Sequence, residues 1–169
     1  PAFAGEDTLV FIFSYSGNTE ETISVYRDAG KRLAKRVVVT TGGILQRLAE
    51  KDGVPVIPVP GGMQPRCATG YMSIPVLILL AKVGIVKDNL RQIDETVRVL
   101  DMIRREKAGF AVRSKNNIAK KAAEALYGKC PVIYGSQDHT DCVVTRMRGG
   151  LSENSKVLSS GNLFPEMNH

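Results

Sequence analysis

The chain has 169 residues, 43% hydrophobic and 24% charged, which suits one large or two smaller globular domains and excludes a disordered chain. Its net charge is +6. The lysines and arginines (Lys31, Arg32, Arg104, Arg105, Lys120 and Lys121 among them) are spread over helix-like stretches without interleaved aromatics, so they read as solvated helix faces rather than a nucleic-acid surface, and they leave a small anionic ligand open.

The first apolar run, "TLVFIF" (8–13), is rich in β-formers and predicts a strand covered on both faces. "TEETISVYRDAGKRLA" (19–34) places Ile23, Tyr26, Ala29 and Leu33 on one helical face. "RVVVTTGG" (36–43) predicts a second strand, "ILQRLAEKDG" (44–53) a short helix stopped by Gly53, and "VPVIPVPGG" (54–62) a proline-interrupted strand at a sheet edge. Strand, helix, strand, helix, strand implies an α/β unit with a parallel sheet and helices on both faces. "SIPVLILLAKVGIV" (73–86) is too short and too interrupted, by Pro75 and Lys82, to span a bilayer, and predicts a buried helix.

A further helix is expected near 90–106, a linker over 107–116, and a helix over 117–129. "CPVIYGS" (130–136) predicts the first strand of a second α/β unit, with a helix beginning near Asp138. The expected organisation is therefore a first unit over 1–106, the linker 107–116 and a second unit over 117–169. Both units read as truncated, the first at its start and the second at its end, as in a piece of a longer protein. No basic segment followed by an apolar core opens the chain, so no signal peptide is visible. The cysteines Cys67, Cys130 and Cys142 have no C-x-x-C spacing and give neither a disulfide framework nor a zinc site. Reduced thiols in a cytoplasm fit. Cys130, ahead of an apolar strand, is expected in the core.

Chemistry concentrates in the loops. "SYSGNTEET" (14–22) joins the first strand to the first helix, where unpaired N–H groups and the positive end of the helix dipole attract an anion. Ser14, Ser16 and Thr19 add hydroxyls, and Gly17 lets the backbone come close. There is no Walker lysine, which favours a sugar phosphate over a nucleoside triphosphate. The simpler alternative is an ordinary N-cap by Asn18 or Thr19. In "PGGMQPR" (60–66), Arg66 is either a solvated loop arginine or a cation for a developing oxyanion. Glu153 and His169 can divide base and acid roles, against the simpler reading of a surface glutamate and a loose terminal histidine; His139 shares that ambiguity.

Together "FSYSGNTEET", "TTGG.LQRLAEKDGVPVIPVPGGMQPR" and "ENSK…FPEMNH" resemble the bifunctional phosphoglucose/phosphomannose isomerases of the sugar-isomerase (SIS) domain superfamily. The six-residue Ser-Tyr-Ser-Gly-Asn-Thr motif marks the superfamily; the Gln-Pro-Arg loop and the sixteen-residue step from Glu153 to His169 mark this branch. The resemblance implies two doubly wound parallel sheets. It also implies interconversion of glucose or mannose 6-phosphate with fructose 6-phosphate through an enediolate, without metal or cofactor. It gives Ser14, Ser16 and Thr19 to the substrate phosphate, Arg66 to the enediolate, Glu153 to proton transfer between carbons 1 and 2, and His169 to ring opening from the neighbouring subunit of a homodimer. It implies neither a nucleic-acid nor a membrane partner, and a cytoplasmic place in glycolysis and gluconeogenesis. The family's Gly-Gly-Ser segment and its C-terminal catalytic lysine have no counterpart here. Two rivals share the anion loop: a phosphosugar-binding regulator in which Glu153 is a spectator, and the isomerase half of a hexosamine-forming enzyme, which would lack "PGGMQPR".

Overall fold

The computed structural model describes residues 3–166. The chain divides into two units, Pro1–Arg91 and Gln92–His169.

In the first unit, β1 (Leu9–Ser14), β2 (Lys35–Thr40) and β3 (Val56–Pro58) form a parallel sheet in the order β1-β2-β3. Alternation along the strands sends side chains to both faces. Ile12 and Val38 meet Tyr26 of α1 (Glu20–Lys31) and Leu45 and Ala49 of α2 (Gly43–Lys51) on one face. Val39 and Val59 meet Val76 of α3 (Thr69–Lys82) on the other. Large side chains buried in this way each contribute roughly 1.5–3 kcal/mol. Helices therefore cover both faces, as the alternation predicts.

The fully covered strand is β2, whose Val37–Thr40 are buried. The expectation had been β1, but β1 lies at an edge with Leu9 and Phe13 exposed. The proline-bearing β3 takes the other edge, where missing donors cost least. Leu33 does not join the apolar face of α1. It follows the helix in the left-handed region, φ 60°, and is exposed. The helix expected to be buried, α3, has only Val76 fully covered.

In the second unit, α4 (Leu90–Met102) begins just before the division and runs into a π-type stretch, Ile103–Ala108. The division thus falls within the first turn of α4, whereas the expected boundary stood at 106. The segment expected as a linker is tied by side chains. Asn117, fully buried, donates through Nδ2 to the carbonyls of Gly109 (2.8 Å) and Val112 (3.4 Å). Its Oδ1 accepts from Lys120 N, capping α5 (Ile118–Leu126). Lys120 Nζ donates to Phe110 O and Val112 O. Side-chain donors satisfy the carbonyls that a polar, turn-prone segment leaves open.

β4 (Val132–Ser136) and β5 (Ser160–Phe164) pair in parallel, joined by α6 (Asp141–Gly150). β5 was not expected, because "SGNLF" lacks β-formers at its start. Its Gly161 has a packing reason: a Cβ there would stand 2.8 Å from Val144 Cγ1 and 2.9 Å from Arg148 Cδ, so the glycine lets α6 close on the strand. Cys130 is exposed rather than in the core, its thiol 3.5 Å from the Leu158 carbonyl. Among the described residues no helix is long and apolar enough to cross a membrane.

Candidate functional site

The carboxyl ends of β1, β2 and β3 carry three loops, the region where open parallel sheets bind ligands. Ser14, the last residue of β1, is buried. Its Oγ accepts from Gly17 N (3.0 Å) and is bonded to Thr19 Oγ1 (2.9 Å). One hydroxyl thus folds the loop onto itself and holds Thr19 in place. Ser16 and Thr19 remain exposed, and Ser16 Oγ accepts from Asn18 N (3.2 Å).

The N-cap alternative fails on geometry. Thr19 occupies the N-cap position of α1 but makes no side-chain cap bond, because its hydroxyl is turned to Ser14. Asn18 does not cap α1 either. Its Oδ1 accepts from Ile44 N at the start of α2 (3.0 Å). The first turn of α1 therefore keeps uncapped N–H groups beside two exposed hydroxyls, an arrangement suited to an anion. Glu20 and Glu21 in that turn favour the helix dipole and oppose a bound anion.

The loop after β2, Thr40–Gly43, is interlocked with it. Gly17, at φ 69°, has no room for a Cβ, which would collide with the Gly42 carbonyl. Gly43, at φ 76°, also lacks room for a Cβ, which would press on the Ser16 carbonyl and Asn18 Oδ1. Thr41 donates to the Tyr15 carbonyl from both its N–H (3.0 Å) and its Oγ1 (2.7 Å), and Leu45 N donates to Gly17 O (2.9 Å). The loop after β3 is tied in by Tyr15, whose hydroxyl donates to Pro60 O (3.0 Å) and accepts from Met63 N (3.0 Å). Arg66 follows on a 3₁₀ turn, Pro65–Cys67, half-buried at the entry to α3.

Sequence reading missed Tyr15, Thr40 and Thr41, and gave Asn18 only as a candidate cap of α1 rather than as the acceptor for Ile44 N. The repeated hydroxyl–glycine pattern, "SGN" after one strand and "TTGG" after the next, was the available signal for all but Tyr15.

Glu153 lies in the second unit, exposed, on a π-type turn (Leu151–Ser155) that ends α6. Only its carbonyl has a described contact, accepting from Lys156 Nζ (2.8 Å). Because α6 returns antiparallel to the strands it joins, this turn stands at the amino end of β5. The carboxyl end carries Glu166 and, after β4, His139. His169 lies outside the described residues. Among the described residues no group of three or more His, Cys, Asp or Glu is placed to hold a metal.

The architecture is an α/β fold with parallel sheets, of SIS type. A candidate phosphosugar isomerase from Bacillus subtilis superposes with TM-score 0.66 at 20% identity, over all of this chain and 51% of that one. A Clostridium difficile counterpart gives 0.64 at 20%, over 99% and 48%. At that identity the likeness is one of fold.

Residues 115–169 match the family described as bacterial phospho-glucose isomerase C-terminal SIS domain. Over its whole length the chain is a relative of the bifunctional phosphoglucose/phosphomannose isomerases, 46% identical to that of Caldicellulosiruptor bescii and 36% to that of Aquifex aeolicus. A D-glucosamine-6-phosphate 4-epimerase from Sulfolobus acidocaldarius is 30% identical over 96% of the chain. The chain spans about half the length of these curated relatives.

Proposed function

We propose that this chain forms part of an aldose–ketose isomerase that interconverts glucose 6-phosphate and mannose 6-phosphate with fructose 6-phosphate. The observation that carries the proposal is the uncapped start of α1, with Ser16 and Thr19 exposed beside it and Ser14 fixing their loop. A phosphate dianion there gains backbone N–H and hydroxyl donors in a scaffold already ordered.

Anchoring the phosphate fixes the sugar carbons and removes the entropy cost of orienting them for proton transfer. Arg66 supplies positive charge for the enediolate oxygens. Glu153 takes the proton from one carbon and returns it to the other; His169 opens the sugar ring from a neighbouring subunit. In this reading the protein has two SIS-type units, works as a cytoplasmic homodimer, and serves glycolysis and gluconeogenesis.

A second reading keeps the anion loop and drops the chemistry. Glu153 stands exposed at the amino end of β5, away from the end where such sheets take ligands, and this favours a phosphosugar sensor that acts by population shift. Assaying the full-length protein on fructose 6-phosphate separates the two. Formation of both glucose and mannose 6-phosphates supports the isomerase. Tight binding without turnover supports the sensor.

A further inference from the structure

We propose that Tyr15 is a positioning residue: its hydroxyl braces the 60–66 loop against the anion loop and so sets Arg66 relative to a phosphate held at Ser14–Thr19. The proposal rests on the isomerase reading above.

Tyr15 joins the ends of three strands. It follows the last residue of β1, its carbonyl takes both donors of Thr41 after β2, and its hydroxyl bonds Pro60 and Met63 after β3. The ring is half-buried against the cluster of Val39, Val59 and Val76, which fixes the direction of the hydroxyl. The braced segment contains Gly61 and Gly62, the latter at φ 88°. Glycines give a released loop a large gain in disorder. The chain passes from Met63 through Gln64 into the turn that carries Arg66, where Cys67 N donates to Gln64 O (2.8 Å) and Ala68 N to Pro65 O (3.1 Å). Loss of the brace therefore reaches the guanidinium within one turn. Stabilising an enediolate needs that cation preorganised, whereas the hydroxyls that bind the phosphate belong to the other loop. The brace thus acts on turnover rather than on affinity.

The test uses the full-length protein with Tyr15→Phe, which keeps the ring and removes both hydroxyl bonds, together with Arg66→Ala and the double variant. Tyr15→Phe is expected to lower kcat on fructose 6-phosphate about 3- to 30-fold. KM should stay within about twofold, and amide exchange over 60–66 should rise. In the double variant the tyrosine change should add nothing to the loss from Arg66→Ala, since it acts through that side chain. A parental kcat in Tyr15→Phe, or an effect that multiplies in full onto Arg66→Ala, overturns the proposal. Absent turnover in the parent would overturn the isomerase reading instead, and the exchange arm would then decide the brace. Lost protection at Met63 supports it, and unchanged protection overturns it.

Discussion

At the carboxyl end of the first sheet the candidate residues form one fabric: three loops, two glycines without room for a side chain, and hydroxyls that bond one another. In the second unit Glu153 stands exposed on a π-type turn, and its one described contact is made by its main chain. The first arrangement is built by neighbours along one sheet edge, so that unit alone supplies every residue of the proposed anion anchor. The second has a role only within the proposed isomerase reading. The proposed anion loop is thus complete within the first unit, while the group proposed to do chemistry is displayed by the second.

The sharpest way to break that contrast is to remove the displayed group's proton transfer. In the full-length protein, Glu153→Gln should leave sugar-phosphate affinity nearly intact and cut turnover by roughly 10²–10⁴-fold. Glu166→Gln is the matched control on the carboxyl-end side. If Glu166→Gln carries that loss while Glu153→Gln stays within about twofold, the base belongs with the strand ends.

Next in size is the fabric itself. Gly17→Ala forces a Cβ against the Gly42 carbonyl at a positive φ. It should destabilise the fold by on the order of 3 kcal/mol in denaturant unfolding. Gly53 also has a positive φ but open space around it, so Gly53→Ala should cost clearly less, on the order of 1 kcal/mol. Equal losses would show that the interlock contributes nothing beyond the backbone conformation. Ser16→Ala and Thr19→Ala should each weaken fructose 6-phosphate binding by about 1.5–3 kcal/mol in calorimetry, with melting temperature little changed for Ser16→Ala and lowered slightly for Thr19→Ala, whose hydroxyl bonds Ser14.

The smallest effect concerns the core beneath the site. Burial, reinforced by its hydrogen bond to Asp52, pushes the Tyr26 hydroxyl up to about 12. Its proton is held more tightly folded than unfolded, so its contribution is complete below about pH 10 and is lost as pH rises towards 12. Tyr26→Phe should remove that part of the alkaline decline in unfolding free energy. An unchanged alkaline slope would assign the decline to other groups.

The βαβαβ order of the first unit was legible because each segment's apolar period matched its structure, down to the proline strand at the edge. The hydroxyl loop was legible as a strand-to-helix turn for the same reason, since strand, glycine and helix start are local. Tyr15 and Asn18 were not: their partners, Pro60, Met63 and Ile44, become neighbours only when the three strands pair. β5 escaped because Gly161 was selected for close approach of α6, which erases the β signal. Cys130 misled because an apolar strand after it says nothing about which face its own position takes. Glu153 was singled out by its residue type and its motif, neither of which carries its orientation.

The most direct test of the isomerase reading is to incubate the full-length protein with fructose 6-phosphate in deuterium oxide and follow the sugars by NMR. An enediolate route with a carboxylate base predicts both glucose 6-phosphate and mannose 6-phosphate, with deuterium at carbon 2 to the extent that the proton on the base exchanges with solvent before it is returned. Fructose 6-phosphate that binds but returns unchanged and unlabelled would contradict it.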